Sequence, residues 1–213
     1  SSTFAAVADN GVIITSTDGT SWTGRTDPRY SNSYIRDYEG VAYGNNIFVA
    51  VGEYSKIIKS TNSSGSSWSL ISNSRCNGRH DCYGYDSTLR GVAFGNSTFV
   101  AVGNSGRIFR STNGTSWSTR NSSGSDLYGV TFGNNTFVAV GDSGRILRSP
   151  DNGTSWSITN SSGSNLRGVA FGNNTFLAVG ASGKIIRSTD NGSSWDNSTS
   201  GTSNYFYGVT FGE

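Results

Sequence analysis

The chain has 213 residues, with 16 basic and 14 acidic side chains and a net charge of +2, a balance that excludes a general nucleic-acid or membrane-surface binder. Hydrophobic residues make up 33%, in runs far shorter than the ~20 residues of a membrane-crossing helix, and the length suits a single sizeable core. The 29 glycines, with abundant Ser, Thr and Asn, suit many short strands joined by turns, and regular apolar alternation argues against disorder. There is no Met, as expected of a processed chain or a fragment.

Taken in order, the predicted elements repeat. Residues 2–22, STFAAVADNGVIITSTDGTSW, read as three strands, here called B, C and D, with no strand A before them. A long connection, TGRTDPRYSNSYIRDYEG, follows and holds Arg25, Arg29, Tyr30, Tyr34, Arg36 and Tyr38. Next comes VAYGNNIFVAVGEYSKIIKS, then a second long connection, SLISNSRCNGRHDCYGYDST, with Arg75, Arg79, His80, Tyr83 and Tyr85. VAFGNSTFVAVGNSGRIFRS, VTFGNNTFVAVGDSGRILRS and VAFGNNTFLAVGASGKIIRS repeat the phrase with short, bland links, and FYGVTFGE is a last strand A. Each copy closes at a Trp after a Ser/Thr/Gly-rich turn: Trp22, Trp68, Trp117, Trp156 and Trp195, spaced 46, 49, 39 and 39 residues apart. A period of about 40 residues with four alternating strands per unit predicts a propeller blade.

The expected fold is therefore all-β, a five-bladed β-propeller of four-stranded antiparallel blades over residues 1–213. Blade 1 is expected from 1–22 plus 205–213, blade 2 from 38–72, blade 3 from 89–120, blade 4 from 127–159 and blade 5 from 166–198. The N- and C-terminal strands would complete one shared blade and so remove an open edge. The same complementarity allows strand A of one chain to complete another, which would propagate as a filament. Cys76 and Cys82, in CNGRHDC, can close a small disulfide loop; free thiols are an alternative, and with His80 they offer at most three metal ligands.

The segments SPDNGTSW (149–156) and STDNGSSW (188–195) fit S-x-D-x-G-x-(S/T)-W and resemble the Asp box of bacterial-neuraminidase-type repeats. Across almost the whole chain the blade phrase is similar to that of the photosystem II assembly factor and related Asp-box propellers. The resemblance implies the propeller fold and structural roles for Asp18, Asp151 and Asp190 and for the five Trp residues. That assembly family has more blades, so its partner is not carried over. Sialidases share the Asp box but use an arginine triad, a Tyr nucleophile and acidic partners that have no placement on this chain.

Catalytic chemistry finds little footing. His80 is the only His and sits in the short Cys loop, a poor platform for a triad or a metal. Asp9, Glu53 and Asp142 occupy matching B–C turns, where Asn104 and Ala181 stand in other copies, and read as turn or rim acids. Lys59, Arg110, Arg148 and Arg187 recur at the end of strand C, and Lys56, Arg107, Arg145 and Lys184 at its start; these read as strand-edge charge or as an electropositive ring. Glu39, Arg90, Tyr128, Arg167 and Tyr207 fill one slot at the entry of strand A, facing the axial channel. No cofactor and no metal are expected.

The expected function is a non-catalytic extracellular binding or structural-assembly module, with another protein or itself as partner. Its surface would be Tyr30, Tyr34, Arg36, Arg75, Arg79, Tyr83 and Tyr85, because Tyr and Arg dominate interface hot spots. Glycans are a second partner class: a lectin is the first alternative, and a glycosidase using rim carboxylates such as Glu53 and Asp142 the second. Ten sequons, at Asn62, Asn96, Asn113, Asn121, Asn134, Asn152, Asn160, Asn173, Asn191 and Asn197, are candidate N-glycosylation sites and, with the Cys pair, point to secretion.

Overall fold

A computed structural model describes residues 2–28, 37–71, 88–120, 124–160 and 163–212. Among the described residues, nineteen strands lie in five antiparallel sheets, the blades of a β-propeller. The first has three strands, β1 (Phe4–Val7), β2 (Ile13–Ser16) and β3 (Thr23–Arg25). The second has four: β4 (Tyr38–Gly44), β5 (Ile47–Gly52), β6 (Ile57–Ser60) and β7 (Trp68–Ile71). The third follows with β8 (Leu89–Gly95), β9 (Thr98–Gly103), β10 (Arg107–Ser111) and β11 (Ser118–Thr119). The fourth holds β12 (Leu127–Gly133), β13 (Thr136–Gly141), β14 (Ile146–Ser149) and β15 (Ser157–Asn160). The fifth holds β16 (Leu166–Gly172), β17 (Thr175–Gly180), β18 (Ile185–Ser188) and β19 (Asp196–Ser198). Among the described residues no helix is long and apolar enough to cross a membrane.

Each sheet is a meander, and its turns follow from its residues. Strands A and B meet at Asn-Asn or Asn-Ser pairs with both φ values positive, such as Asn134 (44°) and Asn135 (58°), the hairpin geometry that Asn tolerates. At the Trp-closed turns Asp151 Oδ1 accepts the Ser155 amide at 3.0 Å, and the Ser149 hydroxyl donates to the same oxygen at 2.7 Å. Asn113 does the same work in the third sheet, accepting the Thr115 and Ser116 amides at 2.8 Å each. Each Trp indole then donates to the turn glycine's carbonyl, as Trp68 does to Gly65 at 2.9 Å. β7 starts at its Trp, whereas β3, β11, β15 and β19 each start one residue after theirs.

The core lies between blades. Strand B alternates so that Val100 and Val102 of β9 face forward, where Phe137 and Ala139 of β13 face back, and all four are buried with Ile108 and Leu127. The same interleaving joins blade 2 to blade 3 and blade 4 to blade 5. At the inner edge, strand A of each blade stacks on the next through a glycine seat. A Cβ added at Gly95 would lie 2.0 Å from the Phe132 ring, so only glycine admits that ring; Gly44, Gly133 and Gly172 seat Phe94, Phe171 and Phe211 alike.

Residues 205–212 carry the strand A sequence and take the inner-strand place beside β16. The Phe206 amide donates to Gly180 O at 3.0 Å, as the Tyr38 amide does to the equivalent Ala8 O at 3.3 Å. They form no ladder, and β1 pairs only with β2 among the described residues, so the pairing expected between this segment and the first blade is not made in this structure.

Candidate functional site

Strand A enters and strand B leaves at one end of each blade, which brings the strand A entry slot beside the B–C turn. The turn is tight: the middle residue is left-handed, with φ near 57° at Ser105 and 55° at Ser143. It is tied to the link before strand A, because Asp126 Oδ1 accepts the Ser105 amide and Asn165 Oδ1 accepts the Ser143 amide, both at 2.8 Å. The axial mouth is thus built on rigid backbone.

Three entry-slot residues meet there. Arg90 Nε donates to Asn104 Oδ1 at 2.6 Å, and the Tyr128 hydroxyl donates to Asp142 Oδ1 at 2.8 Å. In the fifth blade the corresponding turn residue is Ala181, which accepts nothing through its side chain. Arg167 turns instead onto the Tyr128 ring, its guanidinium carbon 3.8 Å from the centroid, while Arg90 approaches the same ring at 5.4 Å. Arg167 Nε is buried with no hydrogen-bond partner among the described residues. Burial first, and the Asp142 acceptor second, push the Tyr128 phenol above its ordinary range, which keeps it a donor. The result is a cation–aromatic–cation cluster whose members are fixed in advance. Glu39 and Tyr207, in the same slot, are exposed.

The other expected residues divide clearly. Tyr30, Tyr34, Arg36, Arg75, Arg79, Tyr83, Tyr85, Cys76, Cys82, His80 and Asn121 lie outside the described residues. Three of the basic residues ending strand C are engaged between blades. Lys59 Nζ donates to Thr115 Oγ1 at 2.6 Å, Arg110 Nε to Asn152 O at 2.6 Å and Arg148 Nε to Asn191 O at 2.7 Å, each clamping the next blade's Trp-closed turn. Arg187, the fourth of the series, is exposed. Asp142 of the carboxylate pair is engaged by Tyr128. Of the sequons, Asn134 and Asn173 are exposed at A–B hairpins, whereas Asn191 Nδ2 donates to Thr136 Oγ1 across a blade joint at 2.8 Å.

The cluster itself was not anticipated, although its signal is in the repeat. Slot and turn residue stand 14 apart in blades 2 to 5, and the pairs read Glu39–Glu53, Arg90–Asn104, Tyr128–Asp142 and Arg167–Ala181, of which the second and third are donor–acceptor pairs and the fourth lacks an acceptor.

Comparison with known proteins agrees with the fold. A crystal structure of a nidogen/laminin complex superposes with a TM-score of 0.67 at 14% identity, covering 99% of this chain and 82% of that one. YCF48 from Cyanidioschyzon merolae gives 0.65 at 18% identity, covering 94% of this chain and 69% of that one. An ancestral GH74 enzyme gives 0.61 at 20% identity, covering 92% of this chain and 30% of that one. At such identities these likenesses speak for the fold alone. No curated protein matches the chain. The model of the DUF6242 beta propeller domain matches residues 31–166, more than half of the sequence, and the chain belongs to that family.

Proposed function

We propose that this chain is a non-catalytic, protein-binding propeller that takes an acidic segment of its partner at the axial mouth. The Arg90–Tyr128–Arg167 cluster carries this reading. Its guanidiniums are held by a ring and a turn amide, so little side-chain entropy remains to be lost on binding. Asp142, spent on the Tyr128 hydroxyl, is a poor acid or nucleophile for sugar chemistry, which disfavours the glycosidase alternative. The Tyr/Arg segments 23–38 and 75–88 run between strand D of one blade and strand A of the next, and those described strand ends, Arg25, Tyr38, Ile71 and Leu89, stand at the mouth end. From the sequence alone, Tyr30, Tyr34, Arg36, Arg75, Arg79, Tyr83 and Tyr85 are kept as candidate partner residues, since Tyr and Arg dominate interface hot spots. We also read the protein as extracellular and glycosylated, from its sequons and its Cys76/Cys82 pair, and its Trp-closed turns as kin to the Asp box.

The test is surface plasmon resonance of the immobilised chain against acidic, neutral and basic peptide pools. Acidic peptides should bind best, lose affinity as salt rises, and lose at least about tenfold in R90A and R167A. Equal retention of basic peptides, or unchanged affinity in both variants, would overturn the reading.

A further inference from the structure

One residue of the mouth breaks a backbone rule that the other blades keep. Among the described residues other than glycine, every one with positive φ is Asn or Ser, except Tyr54. Short polar side chains tolerate the left-handed region far better than a bulky ring does. Tyr54 stands at φ 56° and ψ 33° in the middle of the B–C turn of blade 2. The other blades place Asn10, Ser105, Ser143 and Ser182 there. The next position is Gly11, Gly106, Gly144 or Gly183 in those blades, with φ of 67° or 70°, whereas here it is Ser55 at 55°. Backbone bonds force the shape: the Gly52 amide donates to Lys56 O, the Glu53 amide to Asp37 O and the Lys56 amide to Glu53 O, each at 3.1 Å. Strain kept in one copy of a repeat, where the other copies hold an easier residue, marks a position kept for use rather than for folding.

Place and charge point to that use. The turn packs against β8, the strand that brings Arg90 into the mouth, and Tyr54 is half-buried there. Blade 2 carries acids in both slot and turn, Glu39 and Glu53, where blades 3 to 5 put Arg90 with Asn104, Tyr128 with Asp142 and Arg167 with Ala181. The mouth therefore changes sign across its face, with guanidiniums on blades 3 and 5 and carboxylates beside a ring on blade 2. A neighbouring carboxylate repels an acidic residue and draws a cation, and the face of a tyrosine ring attracts the same cation.

We infer that Tyr54 anchors a basic side chain of the same partner segment whose acidic side chains meet Arg90 and Arg167, so that the segment lies in one direction only. This rests on the reading of the mouth as the binding site, and adds the partner's order of charge and the residue that reads it. Glu53 supplies attraction at a distance, and Tyr54 supplies the contact.

The test is surface plasmon resonance of the immobilised chain with two peptides of one composition, glutamates followed by lysines and the reverse. One order should bind at least about tenfold more tightly than the other. Tyr54→Asn, which copies the Asn10 turn, should abolish that preference and raise the unfolding temperature by roughly 2–4 °C, because the strain leaves with the ring. Tyr54→Phe should keep the preference, since the ring face holds the cation. Equal binding of the two orders, a preference that survives Tyr54→Asn, a preference lost in Tyr54→Phe, or a lower unfolding temperature in Tyr54→Asn would each overturn the inference. Acidic peptides that still bind, and still weaken in R90A, would leave the reading of the mouth standing in all of these cases. Failure of every acid-bearing peptide to bind would remove both.

Discussion

At the scale of single residues, the carboxylates of the Trp-closed turns separate structural from chemical use of acid. At Asp151 partial burial opposes ionisation, but the Ser155 hydroxyl and amide, the Ser149 hydroxyl and the Thr154 amide outweigh it and lower the pKa to about 2. Asp190 and Asp18 are held well below the usual range, by Ser194 and Ser188 in one case and by the Ser21 and Thr20 amides in the other. A carboxylate whose folded pKa is depressed stabilises the fold above its unfolded value, near 4, and loses that contribution as pH falls towards the folded value. Unfolding midpoints in denaturant should therefore be flat from neutral pH to about 4 and fall between about 4 and 2. Asp151→Asn should flatten part of that fall, because Asn113 already makes the equivalent turn without a charge. An unchanged acid limb in that variant would show that these turns do not govern acid stability.

At the scale of the element, the inner strand is where the molecule is least forgiving. Gly95→Ala would drive a Cβ into the Phe132 ring, and overpacking of this kind costs about 1–3 kcal/mol or more, read as a lower denaturant midpoint with unchanged slope. Gly212→Ala, one strand further on in the same series, should cost nothing measurable in the single chain, and the contrast separates the seat from glycine's general flexibility. The strands themselves were legible from alternation and from Asn-rich turns, because both signals are local. The seat was not: LRGVAFG shows a glycine at a strand end, and nothing in that string says that a ring from 37 residues further along lies against it. For the same reason the basic residues of strand C read as surface charge. Their acceptors, Asn152 O and Asn191 O, are backbone carbonyls more than 40 residues away, and a carbonyl leaves no mark in a sequence. The mouth cluster was half legible, since its slot was visible but the stacking of Arg167 on Tyr128 depends on the angle between two blades.

At the scale of the whole molecule, each blade contacts chiefly the one before and the one after, so stability is a sum of blade and joint contributions. The joints differ. The joint of blade 1 with blade 2 buries Ile13 with Tyr38, Phe48 and Trp68, but among the described residues blade 1 brings only three strands and leaves Phe4 and Trp22 exposed. Hydrogen exchange followed by mass spectrometry should find β9 and β13 most protected and β1–β3 earliest to exchange. Uniform protection across the five sheets would show instead that they open as one unit. The ring-on-glycine seat has one more consequence, for how such chains change over generations. A blade carries both a ring for its predecessor and a glycine for its successor, so the two junctions of any interior unit are interchangeable. Loss of residues 127–165 would leave Gly95 facing Phe171 in place of Phe132, and a tandem duplication of the same stretch would add a blade with both neighbours already matched. Blade number is thus free to drift by whole units under unequal recombination, while the chemistry of every joint stays the same.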